Sequence, residues 1–282
     1  MQKVTLYLRM IKFSHSIFAL PFALTSAVIA ASGVPSLSQV VWITVAMVGA
    51  RSGAMGLNRI IDRKIDTDNP RTAGREIPRG VVKVHEAGAF VLFSFGIMAF
   101  AAYMLNPLCL ALSPVAISVL VIYSFTKRFT WMAHLVLGLA ISAGPLGAWI
   151  AITGSIDSGV FPLVLAVIFW LAGFDVLYAL QDIEFDRSHG LFSIPQRFGI
   201  KTSLYVARLL HFVTFGLLVA NGLVFGLGAF YMTGMIIIAG LFLYEHSLVK
   251  EHDLSRLDMA FFNMNGYISM TIFIATLADF LI

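Results

Sequence analysis

The chain has 282 residues, of which 59% are hydrophobic and only 12% are charged, and its mean hydropathy is +0.88. One soluble core could not bury this much apolar surface, so the composition excludes a water-soluble globular domain and predicts one integral membrane domain over residues 1–282. The net charge of +4 gives no case for nucleic-acid binding, because basic cytoplasmic loops explain it equally well. The single cysteine, Cys109, excludes internal disulfides and a cysteine-based zinc site.

Apolar runs recur along the whole chain at the length that crosses a bilayer, about 20 residues. The basic start of the chain precedes the first run without a convincing small-residue cleavage site, which favours a first helix over a removable signal peptide. The predicted spans are residues 14–32, 38–60, 86–105, 107–125, 132–153, 160–181, 203–224, 227–247 and 258–281. The predicted fold is therefore an all-α bundle of about nine transmembrane helices around a central cavity.

The connections between these spans alternate in charge. Of the 19 basic residues, only Arg51 and Arg208 lie well inside a predicted helix. The others fall in loops or helix ends on one side, whereas connections such as "SGVPSLSQ" and "TGSIDSG" contain neither Lys nor Arg. The positive-inside rule then predicts a cytoplasmic N-terminus in the inner (cytoplasmic) membrane, with the charged face toward the cytoplasm.

The stretch "GLNRIIDRKIDTDNPRT" concentrates charge at the end of the second span. Asn58, Asp62 and Asp66 are spaced at four residues, so on a helix they share one face. Two carboxylates so close repel each other and lose hydration, and a divalent cation such as Mg²⁺ removes both costs with hard oxygen ligands. Taken alone, the stretch is equally compatible with simple ion pairs to Arg59, Arg63 and Lys64.

A second acidic stretch, "FDVLYALQDIEFDRSHG", ends the sixth span and repeats the spacing with Asp182 and Asp186. Asp62 and Asp66 align with these two residues at a constant offset of 120. The match suggests a diverged internal repeat of helices one to four and five to eight, with the two acidic sites facing each other. Two facing carboxylate pairs beside basic loops suit a diphosphate bridged by two magnesium ions.

These motifs carry a resemblance to a known family. "NRIIDRKID" and "YALQDIEFD" resemble the first and second aspartate-rich motifs of the UbiA superfamily of intramembrane prenyltransferases, and "NPRTAGREIPRG" and "YSFTKRFT" are similar to that family too. The resemblance spans nearly the whole chain and is strongest to 4-hydroxybenzoate polyprenyltransferases, although some similar members serve menaquinone synthesis. Two letters depart from the common pattern: Arg59 stands where many members carry Asp, and His134 where Gln is frequent.

The resemblance implies Mg²⁺-dependent transfer of a polyprenyl group from its diphosphate to an aromatic acid in quinone biosynthesis, with the apolar tail lying against membrane lipid. The implied metal ligands are Asn58, Asp62, Asp66, Asp182 and Asp186. The implied diphosphate contacts are Lys12, Arg71, Arg75, Tyr123 and Lys127. The implied catalytic residues are Asp62 and Asp182, with Asp175 in a supporting or catalytic role and Tyr178 able to stabilise a carbocation through its ring.

Arg51 is an intramembrane cation and so needs a partner. It lies two turns before Asn58 on the same helical face, which favours binding of the aromatic acceptor by these two residues. The alternative is a structural ion pair with Asp175.

Two other functions remain open at this point. A small-solute transporter fits repeats and intramembrane charge in general, but the polar residues cluster at one surface rather than at the midplane. A CDP-alcohol phosphotransferase also uses aspartates at a spacing of four, but the DG…AR run of that class is missing from the sequence.

Overall fold

The computed structural model describes residues 2–12 and 19–282, and this part of the chain is built from α-helices. The helices are α1 Gln2–Met10, α2 Leu20–Ala30, α3 Leu37–Ile61, α4 Arg63–Asp68, α5 Val84–Leu105, α6 Pro107–Thr126, α7 Ala133–Thr153, α8 Phe161–Ala179, α9 Ile183–Ser188, α10 Ile194–Val224, α11 Ala229–Leu248, α12 Leu257–Met259 and α13 Asn265–Leu281. Short 3₁₀ turns, Ser158–Val160 and Leu180–Asp182, flank α8, and a π-helical turn, Ala260–Met264, precedes α13.

Seven helical segments in the described part of the chain are long and apolar enough to cross a membrane. They are α3, α5, α6, α7, α10, α11 and the segment Ser158–Ser188, which joins α8 and its flanking turns to α9; the apolar helices α2 and α13 are shorter. Large apolar side chains lie on the outside of the bundle, as with Leu92 and Leu243, each 76% exposed, which suits lipid rather than water. The predicted all-helical multi-pass architecture is confirmed, whereas the count of nine spans, the N-terminal orientation and the central cavity stay predictions.

The helix boundaries follow the apolar runs closely in the middle of the chain and depart from them at both ends. A separate helix, α1, precedes the first span, and the start of that span lies outside the described residues. Helix α10 begins nine residues before the predicted start at residue 203, because its first turns contain polar residues that do not belong to an apolar run. Within this helix, Gly199 interrupts the helical backbone with a left-handed φ of 78°. The predicted span 258–281 is divided among α12, the π-turn and α13.

Consecutive helices pack on each other around the bundle. Helix α3 lies against α5, α7 against α8, α8 against α10 and α11 against α13, and α13 returns to contact α2. The largest buried cluster surrounds Trp170 of α8 and includes Phe22, Leu218, Tyr231 and Ile268 from four other helices. Helix α8 is thus buried within the bundle by side chains of α2, α10, α11 and α13.

A glycine sets the distance between α7 and α8. A Cβ on Gly138 would collide with the backbone of Ile168, so no side chain larger than hydrogen fits there without moving a helix. Gly138 lies one turn after His134, and Ile168 lies two turns before Asp175. The close approach at Gly138 therefore positions the polar end of this helix pair.

We expect Gly138→Ala to destabilise the protein, since overpacking at a rigid contact costs about 1–3 kcal/mol. Gly147→Ala on the same helix is the matched control: no atom lies within 4 Å of its Cβ position, and alanine improves helix propensity by about 1 kcal/mol. Thermal unfolding in detergent should show a lower midpoint for Gly138→Ala and an equal or higher midpoint for Gly147→Ala. Equal midpoints in both variants would contradict the close packing.

Candidate active site

The first acidic motif straddles a helix boundary. Helix α3 ends at Ile61, and Asp62 leaves helical geometry with φ −87° and ψ 2° before α4 begins. The backbone N–H of Asp66 nevertheless donates to the carbonyl of Asp62 at 2.8 Å. The two aspartates therefore lie on either side of a break between α3 and α4, where the chain tightens at Asp62, and the one-turn spacing expected from the sequence is kept.

The second acidic motif has the same local backbone. Helix α8 ends at Ala179, a 3₁₀ turn follows, and Asp182 adopts φ −109° and ψ 8° before α9. This bridge region is sparsely allowed and is common among active-site residues. The two motifs thus present their first aspartate from matching conformations, although an internal repeat stays a prediction.

Asp62 is enclosed by donors. Its side chain is 3% exposed and lies 2.7 Å from Nζ of Lys127 and 3.0 Å from Nη2 of Arg128. The side-chain amide of Asn58 donates to the same carboxylate at 3.0 Å. The predicted neighbours Asn58 and Lys127 are therefore brought to Asp62, with Arg128 as an unpredicted third partner.

Asp66 is bound on one oxygen only. Oδ1 accepts from Nη1 of Arg75 at 2.6 Å. Oδ2 is buried and has no hydrogen-bond donor among the described residues. Since a buried carboxylate oxygen without a donor is costly, this atom is open to a further cation.

The loop after the first motif reaches the second motif. Asp182 accepts hydrogen bonds from Nε of Arg71 at 2.9 Å and from the amide of Asn69 at 3.1 Å. Arg71 also donates to the hydroxyl of Tyr178 at 2.9 Å and covers its ring at 5.2 Å. Burial alone would lower the pKa of Arg71, but its hydrogen bonds to Asp182 and Tyr178 hold that pKa above its usual value. The two motifs are thereby joined into one site.

Asp186 is linked to the start of α10. The hydroxyl of Ser193 donates to Oδ2 of Asp186 at 3.0 Å and accepts from the backbone N–H of Gln196 as the N-cap of α10. The second pair of aspartates is therefore supported by Arg71 on one side and by a helix N-terminus on the other.

The donor set matches a hard divalent cation, although no ligand cluster is assembled. Within residues 2–12 and 19–282, no group of three or more acidic, histidine or cysteine side chains is placed to hold a metal ion. Asp62, Asp66 and Asp182 are instead bridged to arginine and lysine. Carboxylate oxygens are the ligands that Mg²⁺ prefers, and the unpaired Oδ2 of Asp66 is such a ligand, so these residues fit the predicted metal.

Arg51 and Asp175 do not form the ion pair considered as an alternative. Nε of Arg51 is buried without a hydrogen-bond partner in the described chain. Asp175 instead lies 2.7 Å from Nδ1 of His134 through its Oδ2 atom. Arg51 thus has no carboxylate partner among the residues that the structure describes.

Arg59 connects the first motif to the N-terminal helix. Its side chain is 4% exposed, and Nε donates to the carbonyl of Met10 at 3.2 Å. Its charge also lies within electrostatic range of Asp66 and Arg75. Met10 ends α1 two residues before Lys12, so Arg59 anchors the segment that carries this predicted diphosphate contact.

Tyr123 lies at the same end of the bundle, within electrostatic range of Asp62 and Asp175. The contacts given above join Asn58, Asp62, Lys127, Asp66 and Arg75 around the first motif and Arg71, Tyr178, Asp182 and Asp186 around the second, whereas they give no test of the roles of Arg51 and Lys12. Sequence reasoning missed Asn69, Arg128 and Ser193. Asn69 and Arg128 had a signal, as the first residue of "NPRTAGREIPRG" and the second basic residue of "TKR".

The chain is similar to proteins of one family over most of its length. The sequence profile of the UbiA prenyltransferase family matches residues 19–267. The 4-hydroxybenzoate octaprenyltransferase of Vibrio atlanticus is 32% identical over 257 residues, which cover 91% of this chain and 90% of that protein.

Solved structures share the fold. The apo structure of a UbiA homologue from Aeropyrum pernix has a TM-score of 0.87 and 33% identity, over 95% of this chain and 98% of that chain. A UbiA homologue from Archaeoglobus fulgidus bound to GPP and Mg²⁺ has a TM-score of 0.68 and 21% identity, over 97% of this chain and 99% of that chain. The second likeness concerns the fold alone.

We expect Arg59→Met to release α1. A hydrogen bond to a charged group contributes about 1.5–3 kcal/mol, so amide hydrogen exchange in residues 6–10 should accelerate by at least about tenfold. Arg63→Met is the matched control, because Arg63 is exposed and donates only to the nearby carbonyl of Ile60. Unchanged protection of α1 in Arg59→Met would show that Arg59 does not anchor it.

Proposed function

The chain belongs to the UbiA prenyltransferase family, and on that premise we propose that it transfers a polyprenyl group from a polyprenyl diphosphate to 4-hydroxybenzoate. The observation that carries the proposal is the joining of the two acidic motifs by Arg71 and Asn69, which both bind Asp182. A single diphosphate group bound there would contact both motifs. The named activity of the Vibrio relative supports the aromatic acceptor.

Four cations are positioned to receive the diphosphate. Arg71, Arg75, Lys127 and Arg128 are each held at the site by an aspartate. Arginine binds phosphate oxygens in a bidentate manner, and lysine acts as a compact charge. Lys12 and Tyr123 are proposed as further contacts. These side chains orient the donor and stabilise the negative charge that develops on the leaving group.

The proposed ligands of Mg²⁺ are Asn58, Asp62, Asp66, Asp182 and Asp186. When bound, the metal would neutralise diphosphate charge as a Lewis acid. The proposal rests on the oxygen donor set and the unpaired Oδ2 of Asp66. The Archaeoglobus protein of the same fold, bound to GPP and Mg²⁺, supports the same classes of ligand.

The proposed chemistry is an alkylation of the aromatic ring. The allylic carbon–oxygen bond breaks with its electron pair passing to the diphosphate, and a ring carbon of the acceptor forms the new carbon–carbon bond. The proton displaced from that ring carbon passes to Asp175, whose side chain is 22% exposed. Tyr178 can face the allylic cation once Arg71 turns to the diphosphate. Enclosure between helices keeps water from the cation.

Arg51 and Asn58 are proposed to bind the acceptor. The unpaired Nε of Arg51 suits the carboxylate of an aromatic acid. A menaquinone-pathway acceptor would also offer a carboxylate, so direct comparison of acceptors decides between them. No observation favours solute transport. We further propose that the site faces the cytoplasm in an inner membrane, because basic residues gather at this end of the helices, and that the prenyl tail lies along the helices in lipid.

Replacing either first aspartate should abolish transfer. We expect Asp62→Ala and Asp182→Ala to lower kcat/KM by roughly 100-fold or more, because each removes charge stabilisation and a proposed metal ligand. The assay uses the purified protein in lipid with Mg²⁺, a polyprenyl diphosphate and 4-hydroxybenzoate. Glu184→Ala is the matched control, since Glu184 is acidic, adjacent and 89% exposed.

Thermal unfolding and gel filtration establish that each variant is folded. If folded Asp62→Ala or Asp182→Ala protein transferred the prenyl group at the wild-type rate, the two-motif mechanism would be ruled out. A loss of activity in Glu184→Ala would show that removing any negative charge from this region lowers transfer, and that the loss is not specific to the proposed site.

Replacing Arg51 should weaken acceptor binding selectively. We expect Arg51→Gln to raise the acceptor KM by roughly 10–100-fold, the equivalent of one charged hydrogen bond, without changing the diphosphate KM. Kinetics with 4-hydroxybenzoate and with a naphthoate acceptor measure both the effect and the preferred substrate. Arg208→Gln serves as control because Arg208 stacks on Tyr205 of its own helix. An unchanged acceptor KM would refute the role of Arg51.

A further inference from the structure

His134 is a buried imidazole held between two partners. Its side chain lies at the start of α7 and is 4% exposed. Nδ1 is 2.7 Å from Oδ2 of Asp175 on α8, and Nε2 is 3.2 Å from the backbone nitrogen of Ile194 at the start of α10. The ring therefore connects three helices at the polar end of the bundle.

These two contacts determine the tautomer. The backbone N–H of Ile194 can only donate, so Nε2 of His134 must accept and carries no proton. Nδ1 then carries the ring proton and donates a hydrogen bond to Asp175. A doubly protonated ring would place Nε2–H against the N–H of Ile194, with two donors facing each other.

The partner on α10 is a fixed point. Ile194 is the first residue of that helix, where backbone N–H groups have no intrahelical acceptor, and its side chain is buried in an apolar cluster with Leu177 and Leu204. The preceding Ser193 binds Asp186. One helix N-terminus therefore supports both Asp175, through His134, and Asp186.

We propose that His134 is a positioning residue that fixes the orientation of Asp175 for its reaction with the acceptor. The inference rests on the proposed function, in which Asp175 receives the ring proton. His134 holds the Oδ2 atom of Asp175. The other carboxylate oxygen, Oδ1, makes no hydrogen bond within the described chain and is left for the acceptor. Both ring nitrogens are occupied, so no polar atom of His134 is left to contact substrate, and its effect passes through Asp175 and the start of α10.

The geometry requires one donor and one acceptor on the same side chain. Glutamine supplies both from its amide, so His134→Gln can replace the ring between Asp175 and Ile194. Methionine has similar bulk but donates nothing, so His134→Met fills the space and loses the hydrogen bond to Asp175. Comparing these two variants separates the positioning role from simple packing.

We expect His134→Gln to keep kcat within about threefold of wild type. We expect His134→Met to lower kcat by roughly 10–100-fold, the usual effect of losing an outer partner of a functional group, with the diphosphate KM unchanged. In the Asp175→Asn background, His134→Met should add little further loss, because the two residues act as a unit. Equal losses in His134→Gln and His134→Met, or additive effects with Asp175→Asn, would overturn the proposal.

A spectroscopic measurement tests the positioning without turnover. Nitrogen-15 NMR of histidine-labelled full-length protein in lipid nanodiscs, with His134 identified by its absence in His134→Gln, should show a protonated Nδ1 and an unprotonated Nε2. A protonated Nε2 would overturn the role of His134 whatever the enzyme transfers. If wild-type protein transferred no prenyl group, the proposed function would fail while this spectrum still reported the hydrogen bonds of His134.

Discussion

Carboxylate charge that has lost its water must be compensated, and this requirement organises the polar end of the molecule. The side chains of Asp62 and Asp66 are only 3% and 4% exposed. An uncompensated buried charge costs several kcal/mol, so each aspartate draws a cation from elsewhere in the chain. The loop that carries Arg71 and Arg75, and the turn that carries Lys127, are thereby held over the ends of α3 and α8. The acidic motifs are thus structural anchors, whatever further role they have in the proposed reaction.

The same ion pairs bear on the proposed binding of a diphosphate. Removing one partner of a buried ion pair is costly, because the other charge is left unpaired. A cation that leaves its aspartate therefore needs a new anion, and an aspartate that loses its cation needs a new positive charge. A diphosphate with a divalent metal, as proposed, would supply both at once. Binding of this kind would exchange partners within the cluster and add little net charge to it.

The sequence predicts the spans well where the bilayer alone sets them. Apolar length and the turn at Asn106–Pro107 place α5 and α6 within two residues, because hydrocarbon thickness fixes helix length. The sequence does not predict helix boundaries that tertiary contacts determine, as in the division of the last predicted span into separate helical segments. The spacing of four identifies the aspartates, but the binding of Asp182 by Arg71, 111 residues away in the chain, depends on how loops cross the bundle. No local pattern encodes that contact, nor the link from His134 to Ile194.

The two residues that depart from the common family pattern, His134 and Arg59, have different physical consequences. At position 134, imidazole and carboxamide each offer one donor and one acceptor, so either residue satisfies Asp175 and the backbone of Ile194. Position 59 allows no such equivalence. Arg59 donates to the carbonyl of Met10, whereas an aspartate there would only accept, and would add negative charge beside Asp66. The chain's own Arg59 thus couples the order of α1 to the first acidic motif.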